Sequence, residues 1–329
     1  MSLPTRPLGS TGLEVTVLGA GTAPLAGLFD PVTPDAAAAV LDAAWEDGVR
    51  YFDTAPFYGY GAGERRTGDA LRGREGYVLS TKAGRLLAPD PAVPGEGWAD
   101  PLPFRPVPDY SEAAVRRSFE DSLQRLGLDH VDLVFLHDIG EMTHGDAHPA
   151  HFEAAMTGGL AALRALKAEG LIAGYGIGVN ETAVLEAALE RGDWDVFLLA
   201  GRYTLLEQDA LDRLMPACEA RGTAIVCGGP YNSGLLAGGG TWNYDAAPAE
   251  ILDRRDRLAA LCREHDVALE AAALRFPLGH PAVASVIPGA RSVEEARANA
   301  AHMSAEIPAA LWPALVDAGL LRADVPLPG

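Results

Sequence analysis

The chain has 329 residues, is 48% hydrophobic, and carries 45 acidic against 26 basic side chains, a formal net charge of −19. So acidic a surface argues against nucleic acid or an anionic membrane as partner. Three cysteines without CxxC or metal spacing leave no basis for a disulfide framework. No basic-then-apolar leader and no membrane-length apolar run is present, so a cytoplasmic location with reduced thiols is expected.

In chain order, Arg6 to Val17 reads as a hairpin turning at Gly9 to Gly12, and Val15 to Leu18 leads into a glycine-rich strand end at Gly19 to Thr22. Thr33 and Pro34 open a helix that stops at Gly48. The strand that follows ends at Asp53, with Tyr58 five residues on, beyond Pro56. A helix near Glu64 to Leu71 and a strand Tyr77 to Thr81, ending at Lys82, come next. Residues 85–110 carry seven prolines with Trp98, Phe104 and Tyr110, and read as a long loop packed on the body, without helix or sheet.

Ser111 caps a helix with Val115, Phe119, Leu123 and Leu126 on one face and Gly127 at its end. The apolar strand Val131 to Leu136 ends at His137-Asp138. Residues 139–157 read as polar and irregular. A helix at Leu160 to Lys167 and a strand Tyr175 to Val179, ending at Asn180, follow. The pattern continues with a helix near 182–190, a strand Val196 to Leu199, a helix Asp209 to Ala220 and a strand Ala224 to Cys227. After a glycine-rich loop, helices near Glu250 to His265 and Glu270 to Leu274 precede the last strand, Val283 to Ile287. Helices from Val293 and near Pro308 to Ala318, then a proline-rich tail, close the chain.

Apolar strands thus alternate with amphipathic helices about eight times. This is the pattern of a parallel sheet buried on both faces. Even spacing, and no GxGxxG after the first strand, favour a single-domain (β/α)8 barrel over residues 1–329, with an N-terminal hairpin and long loops on the C-terminal face.

In such a barrel the strand ends converge on one face, so Asp53, Tyr58, Lys82 and His137 become neighbours. A phenol with pKa ≈ 10 is a poor acid or base at neutral pH, and a nearby ammonium would lower that value. Lys82 supplies the charge in this reading, Asp53 orients it, and His137 donates to a carbonyl oxygen. No activated Ser or Cys accompanies them, nor an HxH metal pair. The set suits proton transfer at an oxygen coupled to hydride transfer by a nicotinamide. His144, His148 and His151 are set aside as a solvated loop rather than a metal site.

The motifs Gly48-x-Arg50-Tyr51-Phe52-Asp53-Thr54-Ala55-x-x-Tyr58, Ser80-Thr81-Lys82, Ser118 to Asp132, Leu136-His137 and Ile287 to Ser292, with Glu295 and Asn299, resemble the aldo-keto reductases over nearly the full chain. The resemblance implies Tyr58 as acid/base, Lys82 and Asp53 as its tuners, and His137 as positioner of the substrate oxygen. It implies NAD or NADP held by Gly21, Thr22, Asp53, Asn180, Tyr203, Asn232, Ser233, Gly234, Leu236, Ile287, Gly289, Ala290, Arg291, Glu295 and Asn299, and a substrate meeting Tyr58, His137, Asp138 and Trp98.

Leu199 to Gln208, Tyr231 to Ala237 and Phe276 to Ser292 are similar to the aldose 1-dehydrogenases, with pyridoxal 4-dehydrogenase a relative. That implies oxidation of a sugar hemiacetal to a lactone, or turnover of an aldehyde. A nucleotide-binding regulatory barrel without turnover and a pyridoxal-type dehydrogenase are the alternatives. Two departures stand out: Ala200 replaces a Gln and Gly228 replaces a ring-stacking Tyr, with Tyr203 or Tyr231 as substitutes. Glu295 in place of a phosphate-gripping Arg favours NAD. The substrate pocket is expected under residues 85–110, 138–157 and the tail after Trp312, and the oligomeric state stays open.

Overall fold

The computed structural model describes residues 3–93, 95 and 97–329. Eight parallel strands form its core: Ala20–Gly21, Tyr51–Asp53, Val78–Ala83, Leu133–His137, Gly174–Val179, Val196–Ala200, Ala224–Gly228 and Val283–Ile287. Each pairs with its successor, and the sheet closes through parallel bridges Leu18↔Val286 and Gly21↔Gly289. Gly19 N–H donates to Val286 O at 2.9 Å across that seam. The (β/α)8 barrel read from the sequence is therefore the fold.

Two layers of apolar packing explain why the strands lack alternation. The larger lies between strands and helices, where Phe52, Leu79, Val134, Ile177 and Phe197 point outward. The smaller fills the barrel with Tyr51, Phe135, Leu198, Val226 and Ile287. Both faces are dry, so nearly every strand position is apolar. The exceptions at the strand ends, Asp53, Lys82 and His137, are buried polar groups that need partners. The hairpin Thr5–Pro7 with Glu14–Thr16 lies at the opposite mouth, where Ser10 Oγ donates to Asp195 at 2.6 Å.

Two segments differ from the sequence reading. Residues 85–110 contain an antiparallel ribbon, Arg85–Pro89 against Phe104–Pro108. Asp109 N–H bonds Gly84 O and Asp90 N–H bonds Pro103 O, which fixes the hydrogen-bonded pairs. Pro89, Pro106 and Pro108 all fall on the alternate, non-bonded pairs, where a missing N–H costs nothing. Pro94 lies outside the described residues. The stretch 139–157 is not irregular but helical in pieces: Glu141–His144, Gly145–Ala147, His148–Ala154 and a π turn at Ala155–Gly159 that runs into Leu160–Ala168.

The Asp209 to Ala220 helix is split into a 3-10 turn, Asp209–Leu211, and a helix, Leu214–Arg221. No helix among the described residues is long and apolar enough to cross a membrane.

Candidate active site

Four neighbouring segments deliver the tetrad. The second barrel strand ends at Asp53, the third carries Lys82, and the fourth ends at His137. Tyr58 opens a tight turn, Tyr58–Gly61, in which Gly59 and Tyr60 take left-handed backbone angles. A side chain on Gly59 would sit 2.5 Å from Ala26 O, so the turn needs that glycine.

The structure brings all four together. Lys82 Nζ donates to Asp53 Oδ2 at 2.6 Å and to Thr54 O at 2.9 Å. Ser80 Oγ donates to Asp53 Oδ1 at 2.7 Å. Lys82 Nζ also lies 4.6 Å from the centre of the Tyr58 ring, over its face. The Tyr58 and His137 rings stand edge to face, 5.9 Å apart. Trp98 packs 5.8 Å from the Tyr58 ring and Phe57 lies 6.0 Å from His137, so aromatic rings wall the cleft.

One expectation is corrected. The ammonium does not leave the phenol acidic: Tyr58 is pushed well above its ordinary value, by burial first and then by Asp53 and Asp138. Lys82 meets the ring face, with two of its three N–H donors on Asp53 and Thr54. The site therefore holds its phenol protonated at neutral pH. Burial also raises the Asp53 carboxyl, against the pull of Lys82 and Ser80.

His137 is held neutral, well below the usual imidazole range, by burial and by Arg85 and Lys82. Its Nε2 lies 3.4 Å from Asp138 Oδ2. Its Nδ1 is buried without a partner. The Tyr110 hydroxyl lies 2.7 Å from His137 O, 3.2 Å from Asp138 O and 2.9 Å from His144 Nε2. It pins the turn that carries both residues. Tyr110 had been read only as a loop aromatic. Ser80 was visible beside Lys82 in the Ser80-Thr81-Lys82 motif, but its bond to Asp53 was not.

The remaining expected residues divide. Gly21 and Gly289 face each other at the seam, and a side chain on Gly289 would meet Pro24 Cγ at 2.5 Å. Thr22 N–H bonds Asp53 O, while its buried hydroxyl has no partner. Ile287 closes the eighth strand. Gly21, Ala290 and Asn299 line a small, largely apolar hollow that opens to solvent. Asn180 Nδ2 donates to Ala200 O at 3.0 Å. Tyr244, on a small hairpin that follows the seventh strand, is half exposed and lies 6.4 Å from the Phe29 ring. Nothing in the sequence marks it, because it sits in a loop.

Other residues are placed elsewhere. Tyr203 is 1% exposed and packs on Phe276 and His280, so it is a core residue and no substitute for the missing ring. Leu236 is fully buried in the core. The Asn232 side chain is taken by Thr204 Oγ1 and Gly201 O, and Ser233 Oγ accepts from Tyr244 N. These bonds and the left-handed Gly234 shape a loop rather than offer side chains. Tyr231 donates to Asn299 Oδ1 at 2.7 Å.

Glu295 Oε2 accepts from Arg291 N at 2.7 Å while Ser292 Oγ caps the same helix, so this carboxylate is partly a capping group. Arg291 pairs with Asp30. The tail after Trp312 bonds Gln208, Asp212 and Arg254 on the barrel flank and does not cover the tetrad. No group of three or more His, Cys, Asp or Glu is arranged to hold a metal among the described residues.

A barrel mouth carrying a protonated phenol, a buried ammonium–carboxylate pair and a neutral imidazole is built to move a proton at an oxygen while a hydride leaves or joins the carbon behind it. The chain belongs to the Aldo/keto reductase family, whose model matches residues 17–318. It is 47% identical to a pyridoxal 4-dehydrogenase from Microbacterium luteolum, covering 96% of this chain and 97% of that one. It is 40% identical to a D-threo-aldose 1-dehydrogenase from Pseudomonas sp, covering 98% and 99%. An aldo-keto reductase from Bacillus halodurans in its holo form superposes with a TM-score of 0.74 at 28% identity, covering 98% of each chain.

The protein is thus an oxidoreductase of a family that uses NAD(P)H. The residues present fit such a group: the orphaned Thr22 hydroxyl and the Asn180 amide lie at strand ends on the mouth that holds the tetrad.

Proposed function

We propose that the protein oxidises the cyclic hemiacetal of an aldose at C1 to a lactone, with NAD preferred to NADP. The observation that carries this reading is that the tetrad adjoins an ionic pair, Arg85 and Asp138, and two aromatic rings, Trp98 and Phe57, that pack on each other. Flat aromatic walls suit the apolar face of a sugar ring, and the ionic pair suits its hydroxyls. The 40% identical D-threo-aldose 1-dehydrogenase supports the same reading.

When bound, the nicotinamide accepts the C1 hydride. Asn180, Thr22, the Gly21–Gly289 seam and the helix opening at Ser292 would hold that cofactor. Tyr58, as phenolate, removes the proton of the anomeric hydroxyl. His137 donates Nε2–H to the same oxygen and fixes its position. In the reverse direction Tyr58 returns the proton to the carbonyl oxygen. Lys82 and Asp53 hold the turn and balance the charge beneath the phenol. Glu295 and Asp30 flank the position of Arg291, and both disfavour a second phosphate there. This chemistry fits a cytoplasmic enzyme acting on a freely diffusing small molecule.

A second reading, oxidation of pyridoxal, is favoured by the 47% identical relative. A panel of aldopyranoses, pyridoxal and simple aromatic aldehydes, each offered with NAD at alkaline pH and followed at the reduced-nicotinamide band, separates them. Turnover of aldopyranoses is expected. Turnover of pyridoxal alone favours the second reading, and turnover of aromatic aldehydes only in the reductive direction removes both.

A further inference from the structure

We propose that Asp138 and Arg85 together read an oxygen substituent on the carbon next to the reacting one, making the pair the specificity determinant of the cleft. The proposal rests on the hemiacetal reading above and adds which part of the substrate is recognised.

Asp138 follows His137 directly and takes a left-handed backbone with φ of 48°. Asp tolerates that region better than most residues. The turn folds the carboxylate back on its neighbour, so Oδ2 lies 3.4 Å from His137 Nε2. Arg85 Nη2 donates to the same oxygen at 2.7 Å. Arg85 comes from the proline-rich ribbon, stacks 4.1 Å over the Phe57 ring and bonds Thr143 Oγ1 at 3.3 Å. It is 6% exposed, and its Nε is buried with no partner. The Tyr110 hydroxyl clamps the carbonyls on both sides of the turn. The pair is thus held rigidly from two elements with a donor still unmatched.

The geometry sets the reading frame. When Nε2–H of His137 donates to the reacting oxygen, the carboxylate beside it faces the neighbouring carbon. A hydroxyl there donates to Asp138 and accepts from Arg85. An analogue without that hydroxyl leaves the buried Arg85 Nε unmatched and the carboxylate without the donated bond, which costs more than an unfilled apolar pocket. A bridge that merely fastened the ribbon to the barrel would be indifferent to the substrate.

The test compares kcat/KM for an aldose and its 2-deoxy analogue, in the wild type, Asp138→Asn and Asp138→Leu, with NADH affinity measured by fluorescence to verify the fold. The wild type is expected to prefer the hydroxylated sugar by roughly a hundredfold. Asp138→Leu should bring the ratio to within about threefold, chiefly through a higher KM for the hydroxylated sugar. Asp138→Asn, which keeps the turn and a polar head, should fall between. An equal loss on both sugars, with the ratio preserved, would show a structural bridge and overturn the proposal, as would a wild type without preference. If the wild type oxidises no aldose, the hemiacetal reading has failed. The ratio is then read in reduction with 2-hydroxypropanal against propanal, where a preference that Asp138→Leu abolishes supports the pair and its absence overturns it.

Discussion

Lys82 Nζ lies 2.6 Å from Asp53 Oδ2 on adjacent strands, with both side chains almost wholly out of solvent. Thr54 O and Ser80 Oγ complete their shells. A buried pair of this kind tolerates removal of both charges better than removal of one. Lys82→Met is expected to cost about 3–5 kcal/mol, because Asp53 is left uncompensated. The double variant with Asp53→Asn should recover part of that loss. Urea unfolding midpoints of the two variants check this, and equal midpoints would show that the pair is not coupled.

The same neighbourhood sets the pH dependence of turnover. Around Tyr58 stand Asp53, Lys82, Arg85, His137, Asp138 and Tyr244. Burial, Asp53 and Asp138 raise the phenol, and Arg85 lowers it. Oxidation uses the phenolate, so its rate should climb toward alkaline pH. Removing the negative charge of Asp138 favours the phenolate, so Asp138→Asn should move the climb to lower pH. Arg85→Gln should move it to higher pH. Shifts of the same sign in both variants would contradict the electrostatic account.

Acid stability follows from the histidines. His144 is lowered to about 4, by burial first and then by His151 and Arg85, and His137 is also lowered, by burial first and then by Arg85 and Lys82. Both take up protons in the unfolded chain, near pH 6.5, before the folded one does. Stability is therefore complete above pH 6.5 and is lost as pH falls toward 4. For His144, which is partly exposed, the loss is on the order of 1 kcal/mol after solvent screening. Unfolding midpoints at pH 7 and pH 5 read it directly. His144→Gln should flatten part of the slope, and a slope unchanged by that substitution would locate the effect elsewhere.

The proposed preference for NAD rests on the eighth strand's exit. Glu295 accepts from Arg291 N, and the Arg291 guanidinium is paired with Asp30. A 2′-phosphate arriving there meets two carboxylates and an arginine already engaged. NADH should bind roughly tenfold more tightly than NADPH, equivalent to about 1.4 kcal/mol in a partly exposed site. Fluorescence titration with each cofactor measures it. Tighter binding of NADPH would mean that Arg291 leaves Asp30 for the phosphate.

The barrel and the tetrad were legible because they rest on the strongest sequence signals. Asp53, Lys82 and His137 are each a polar residue at the end of an apolar run, and eight such runs alternate with helices. The ribbon at residues 85–108 was missed because proline was read as a breaker. Its spacing in fact puts Pro89, Pro106 and Pro108 where the ladder needs no donor. The helical pieces from Glu141 to Gly159 were missed because they are short and largely polar on their outer face.

Tyr203 was drawn into the site by its distance from the sixth strand's end, yet the chain turns at Gly201 and carries the ring into the core. Tyr110 acts through a contact that spans 27 residues of chain, and no local pattern encodes it. Lys82 was placed beside the right ring, but whether it meets the hydroxyl or the face depends on three-dimensional detail.

The central claim is that Tyr58 takes a proton from an aldose hemiacetal as the C1 hydride leaves. The direct measurement offers an aldose deuterated at C1 to the wild type and to Tyr58→Phe with NAD, then analyses the reduced cofactor and the sugar product by mass spectrometry. The account predicts deuterium in the reduced nicotinamide and a lactone from the wild type. It predicts a rate lower by about 10²–10⁴-fold in Tyr58→Phe at unchanged NADH affinity. Reduced cofactor without deuterium, or a Tyr58→Phe variant that turns over at the wild-type rate, would contradict it.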